Sequence, residues 1–160
     1  CSRNDILLIS SGILTLKGIQ NPFQRLERIF NRVDQLIREY KPKELAVEAP
    51  FFGKNIQSML KLGRAQGVAI AAALSHSLPV EEYSPRKVKQ AITGNGNASK
   101  EQIASFLTKI ISFSSMPEAL DATDAIAVAV CHHLQKKPVV QTKSYNSWKD
   151  FMNKNPGRIQ

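Results

Sequence analysis

Apolar residues fall along the chain in two rhythms: short compact runs that suit strands, and longer three- and four-residue repeats that suit helices. Ile6-Leu7-Leu8-Ile9 and Gly12-Ile13-Leu14-Thr15-Leu16 read as one strand or a strand pair, kinked at Ser10-Ser11-Gly12. Asn21 and Pro22 then open a helix whose apolar stripe is Phe23, Leu26, Ile29, Phe30, Val33, Leu36, Ile37 and Tyr40, and Pro42 ends it. Leu45-Ala46-Val47 predicts a buried strand closing at Glu48. A long helical segment follows from Gly53 to Ser75, small-residued in its second half from Gly67 to Ala73. Pro79 to Tyr83 fits a strand, Pro85 starts a helix through about Ile92, and Thr93-Gly94-Asn95-Gly96-Asn97 is turn-rich. Ser99 with Gln102 three residues on predicts a capping box, and Ser115 with Glu118 repeats that spacing before a last helix to about Leu134. This alternation predicts an α/β layer fold. From Lys136 the chain turns polar and irregular apart from Trp148 and Phe151, so we expect one domain over 1–135 and a polar tail over 136–160.

Composition narrows the class without naming a function. An apolar fraction of 42% in 160 residues suits one water-soluble domain with its own core. No apolar run is long enough to span a bilayer, and no secretory signal is visible, so no membrane partner is expected. Cys1 and Cys131 form no staple pattern, which points to the reducing cytoplasm. The net charge of +9 favours a polyanion such as nucleic acid, since Lys and Arg displace counterions condensed on phosphates. Ribosomal and other sticky surfaces share that balance, so placement has to decide.

The candidate chemistry is carboxylate. Glu48 ends a strand, where open α/β sheets face their ligand crevice, although a solvated strand end has the same look. Asp121 and Asp124 stand three apart, on one side of a helix, at the border of a stripe made by Leu120, Thr123, Ala127, Val130 and Leu134. Two acids beside a buried stripe repel each other and lose hydration unless donors or a cation compensate, and Mg²⁺ takes such oxygens. The alternative is that both acids only favour the positive end of their helix. Basic residues gather at Lys54, Lys61 and Arg64, at Arg86, Lys87 and Lys89, and at Lys100. They suit either solvated helix faces or phosphate contacts beside a metal site. Phe51 and Phe52 read as core contacts or as rings that stack on an unpaired base. His76, His132 and His133 lack zinc spacing and read as structural or surface residues.

Several strings together resemble the RuvC-type Holliday junction resolvases, with a Bacteroidetes cast. They are Glu48-Ala49-Pro50-Phe51-Phe52-Gly53-Lys54-Asn55, the stretch Lys61-Leu62-Gly63-Arg64-Ala65-Gln66-Gly67-Val68-Ala69, Lys87-Val88-Lys89-Gln90-Ala91, Gly94-Asn95-Gly96 with Ser99-Lys100-Glu101-Gln102, and Asp121-Ala122-Thr123-Asp124-Ala125. The resemblance runs from about Ile6 to Leu134. It implies a ribonuclease H-like mixed sheet flanked by helices, and a homodimer that cuts four-way DNA junctions with two Mg²⁺ per subunit, or Mn²⁺ in their place. It further implies a branch-migration helicase as partner in recombination and repair. By position, Glu48, Asp121 and Asp124 resemble the metal-binding catalytic acids. Lys89 and Lys100 resemble the bases near the scissile phosphate, Phe51 the stacking ring, and Gly63 to Ala73 the dimer contact. Lys54, Arg64, Arg86 and Lys87 complete the expected DNA-binding set.

The family's opening Ile-Asp-Pro-Gly strand, with its first catalytic aspartate, has no counterpart here. Asp5, Glu27, Asp34, Glu39 and Glu44 do not match it. We therefore expect a first strand missing from this chain, an opened core or a groove, and impaired cleavage. A non-catalytic junction-binding dimer on the same scaffold is the rival reading, and a related nuclease acting on RNA is a third.

Overall fold

The computed structural model describes residues 6–50, 55–112 and 120–136. Among these residues nine elements follow in order: β1 (Ile6–Leu7), α1 (Pro22–Tyr40), β2 (Leu45–Glu48), α2 (Ile56–Ser75), β3 (Val80–Tyr83), α3 (Pro85–Thr93), α4 (Lys100–Ile110), β4 (Ile111–Ser112) and α5 (Leu120–Lys136). Local chemistry sets most boundaries. The Asn21 side chain accepts from the Phe23 amide at 2.8 Å, and Pro22 starts α1 where no intrahelical amide bond is needed. Ser84 caps α3 by accepting from the Lys87 amide, and Gly94 ends that helix at φ 76°, a conformation glycine adopts without a Cβ clash. The Ser99–Gln102 capping box forms in both directions at the head of α4.

The strands make two parallel pairs. β2 lies beside β3 with Leu45 opposite Val80 and Glu48 opposite Tyr83, and β1 lies beside β4 with Ile6 opposite Ile111. The sequence suggested a further extended run from Gly12 to Leu16. Leu14 and Leu16 do alternate with more exposed neighbours there, but no ladder forms. Strand identity needs a partner edge as well as a pattern, and none lies alongside among the described residues.

One core gathers α3, α4, α5 and the strands. Tyr83, Val88, Ile92, Ile103, Leu107, Ile111, Ile126, Val128, Val130 and Cys131 are all buried in it. The buried face of α5 is wider than the anticipated stripe, since Ala122, Val128 and Cys131 join Thr123, Ala127 and Val130. The helix serves two fronts, packing on β2 and on α3. Burial also pushes the Cys131 thiol up, which keeps it in the unreactive protonated form. α1 and α2 pack mainly on each other, and Phe23, Ile56, Leu60, Leu62 and Leu74 stay exposed. A groove of about 240 Å³ runs between β1 and α5, lined by Leu7, Leu8, Ile111, Ala125 and Ala129 among others. Among the described residues no helix is long and apolar enough to cross a membrane.

Candidate active site

Parallel pairing of β2 and β3 aligns their carboxyl ends, so Glu48 emerges beside Tyr83 where both strands give way to loops. Three hydrogen bonds hold this end in place. The Ala49 amide donates to the Tyr83 carbonyl at 2.8 Å. Gln66 on α2 donates from Nε2 to the Glu48 carbonyl oxygen at 3.1 Å and to Glu82 Oε1 at 2.9 Å. The Glu48 backbone is therefore tied to α2 as well as β3.

Around the Glu48 carboxyl the structure gathers Asp124 from α5, Lys100 from the head of α4, and Lys89 from α3. Although Glu48 as a whole is exposed, the protein around its carboxyl removes enough water to raise its pKa above the usual glutamate range. The negative charge of Asp124 adds to that rise, while Lys100 and Lys89 pull the other way. Lys100 Nζ donates to Asp124 Oδ2 at 3.1 Å, with both side chains substantially exposed. Four residues distant in sequence thus form one alternating cluster of charge.

Hard oxygen donors that repel each other are what a divalent cation neutralises, so the donor chemistry of Glu48 and Asp124 suits Mg²⁺ or Mn²⁺. Asp121 lies in α5 one turn before Asp124, so their backbone positions share a side of the helix. Its side chain lies outside the described residues, as do Phe51 and Lys54. Among the described residues, no three acidic, histidine or cysteine side chains gather closely enough to hold a metal by themselves.

The remaining basic candidates part company. Lys87 sits over the Tyr83 ring with Nζ 5.0 Å from its centroid. Two positions on a helix are about 200° apart, so Lys87 turns away from the cluster that Lys89 joins. Arg86 is exposed beside the 93–97 loop, where its side chain crosses the Gly96 backbone closely enough that a Cβ there would meet Arg86 Cγ at 2.8 Å. Arg64 is exposed on α2, two residues before Gln66.

Sequence reasoning overlooked a second polar chain at the other end of β2. The Tyr83 hydroxyl bonds to His132 Nδ1 at 2.9 Å, and His132 Nε2 bonds to Glu44 Oε2 at 2.7 Å. Lys136 also pairs with Glu44. No local signal marks this set, because its members lie 49 and 88 positions apart.

Comparison with known proteins points to one family. The family model for the crossover junction endodeoxyribonuclease RuvC matches residues 2–132. The Cytophaga hutchinsonii protein of that name is 53% identical over 155 residues, covering 97% of this chain and 76% of its own. The Bacteroides fragilis protein of the same name is 54% identical over 155 residues, covering 96% and 82%. Among solved structures, Thermus thermophilus RuvC matches with a TM-score of 0.74 and 30% identity, over 81% of this chain and 78% of that one. T. thermophilus RuvC in complex with a Holliday junction substrate matches with a TM-score of 0.77 and 30% identity, over 82% and 79%. The Bacteroidetes cast of the motif strings holds. With its ribonuclease H-like fold, the chain belongs to the RuvC family of crossover junction endodeoxyribonucleases.

Proposed function

We propose that this protein resolves four-way DNA junctions by divalent-metal-dependent phosphodiester hydrolysis. The observation that carries the reading is the meeting of Glu48 with Asp124, flanked by Lys89 and Lys100, at the carboxyl end of the β2–β3 pair. Glu48 and Asp124 would hold the metal, with Asp121 joining them from the preceding turn of α5. Bound Mg²⁺ or Mn²⁺ supplies Lewis acidity at the phosphate and a water of lowered pKa. The chain's own groups do the rest. Lys100 and Lys89 draw a phosphate toward the acids and screen its charge, and the Gln66 bond to the Glu48 carbonyl keeps the strand end from turning out.

Arg64, Arg86 and Lys87, with Lys54 and Phe51 from the stretch of sequence between β2 and α2, would extend the DNA contact beyond the scissile phosphate. A homodimer supplies the two cuts a symmetric junction needs. Support for it lies on α2, where Gly63 and Gly67 have open space over their Cα atoms beside the exposed Leu60 and Leu62. A second backbone could approach closely there. The branch-migration helicase and the polar tail over 136–160 belong to the same reading.

Nicking of a labelled four-way junction in Mg²⁺, set against linear duplex and an RNA–DNA hybrid, tests this. Junction-selective paired cuts that vanish in Glu48→Gln, with junction binding retained, are the expected result. Undiminished cutting by Glu48→Gln removes the site from the chemistry. A second reading is a junction-binding dimer that does not cut. Tight junction binding with no Mg²⁺-dependent nicking by the parent would establish it.

A further inference from the structure

The buried face of α5 carries one large side chain, Ile126, among smaller ones, Ala122, Thr123, Ala127, Val128, Val130 and Cys131. Small residues make shallow ridges, and apolar contact is non-directional, so packing alone defines weakly how far a helix slides or rolls over its neighbours. Yet α5 must present Asp124 to Glu48, a charge on another element. Something directional has to set its register.

Residues 44, 46 and 48 alternate onto one face of β2 and its lead-in, with Ala46 packed against the core between the two acids. The Asp124 charge acts on the Glu48 carboxyl at one end, Glu44 bonds His132 at the other, and α5 packs on β2 between them, so α5 runs antiparallel to β2. The spacing fits. Four strand residues advance about 13 Å, and the eight helical residues from Asp124 to His132 advance about 12 Å. His132 is itself held on its second nitrogen by Tyr83, the residue paired across the ladder from Glu48. The Tyr83 and His132 rings meet edge to face at 5.7 Å. Tyr83 is almost wholly buried, and the His132 side chain is 15% exposed.

We propose that His132 is a positioning residue: bridging the Tyr83 hydroxyl and the Glu44 carboxylate, it sets the axial register of α5 on β2 and so places Asp124 opposite Glu48. The bridge fixes its tautomer, with Nε2–H donating to Glu44 and Nδ1 accepting from Tyr83. A slip of one helical residue moves α5 about 1.5 Å and turns it about 100°. Both bonds break together, and a buried hydroxyl is left unpaired. The imidazole's hydrogen bonds and ring contact go to Tyr83 and Glu44. Its effect reaches the acids at the cluster through the helix.

The inference rests on the site proposed above, and its test separates the two. In His132→Ala, backbone amide resonances of residues 121–125 and 47–49 should shift, although Asp124 lies about 12 Å from His132 along the helix. Shifts confined to one turn around position 132 and to its direct contacts overturn the proposal whether or not the protein cuts DNA. On four-way junctions, His132→Ala should bind within about twofold of the parent, while its single-turnover cleavage rate falls about 10- to 100-fold, the scale expected for an ångström of misplacement. Half-saturating Mn²⁺, read by calorimetry, should rise in parallel. His132→Gln, whose amide can still donate to Glu44, should recover part of the rate. Should His132→Ala fail to fold, Tyr83→Phe serves in its place, since it deletes a single hydroxyl. An unchanged rate, metal affinity and amide pattern in Tyr83→Phe overturns the proposal. A parent that neither cuts junctions nor binds Mn²⁺ sinks the site reading alone, because the amide shifts still decide the register claim.

Discussion

Replacing Glu48 by Gln should stabilise the metal-free protein while abolishing its response to metal. The ionised carboxylate sits where burial and the neighbouring charge of Asp124 both favour the protonated form. Its folded pKa therefore lies above the unfolded value near 4.5. Its contribution to stability is intact below the unfolded pKa and is lost as pH rises through the folded one, so near neutrality the parent carries a penalty that Gln lacks. Water screens so accessible a group, which limits the penalty to about 1 kcal/mol. In a chain of this size that corresponds to about 2–4 °C in Tm. The Gln66 bond reaches the backbone oxygen of residue 48, so the substitution leaves it in place. With Mn²⁺ at a hundred times its Kd, the parent should gain about 2.7 kcal/mol, or about 5–10 °C, whereas Glu48→Gln gains little. Differential scanning calorimetry in EDTA and in Mn²⁺, at neutral pH and again well below the ordinary glutamate range, reads all of this. The order of the two melting curves should reverse when metal is added, and their gap in EDTA should close in acid. A variant that melts below the parent in EDTA, or that gains as much from Mn²⁺, refutes the reasoning.

Other substitutions probe separate links. Lys100→Ala breaks an exposed ion pair with Asp124, so its stability should change by less than about 0.5 kcal/mol. The salt dependence of junction binding should nevertheless weaken by about 0.9 in log–log slope, the share of one phosphate contact, as titrations at several ionic strengths would show. Leu107→Ala empties a fully buried position in α4 and should cost about 2–5 kcal/mol in denaturant unfolding, equally with and without metal. The Asp34 carboxyl, held by Arg38 and His76, lies at about 2 instead of 3.8. The tie it makes between α1 and the end of α2 is whole above the ordinary value and fails as pH falls through the depressed one. In urea titrations Asp34→Asn should be the less stable protein at neutral pH, with the difference narrowing in strong acid.

Most of the architecture was legible because its boundaries are written in local chemistry. Asn21-Pro22, Pro85 and the Ser99–Gln102 box each act within a few residues, and each marks the helix start it was expected to mark. Pairing information is different in kind. The run from Gly12 to Leu16 has the right alternation but no edge beside it, and the two-residue β4 shows no pattern until β1 lies against it. The same divide runs through the site. Glu48 stood out because it ends an apolar run, and Asp124 because of its spacing from Asp121. Lys87 and Lys89 looked equivalent as neighbours in a basic string, and only helical rotation separates one over Tyr83 from the other beside Glu48. Tyr83, His132 and Glu44 carry no shared motif, so three-dimensional proximity alone unites them.

The brevity of β1 has a consequence for handling the protein. Among the described residues, two rungs against β4, a few apolar contacts and a hydrogen bond from Arg25 Nε to the Ile19 carbonyl fasten the segment ahead of α1, and Ser10, Ser11 and Gly12 stand open to solvent just beyond the rungs. Opening so short a ladder costs far less than unfolding the core, so a broad-specificity protease should clip this leader first. The surviving fragment would begin near Gly12, upstream of the Asn21 cap on α1, and would retain Glu48, Asp124 and their lysines intact.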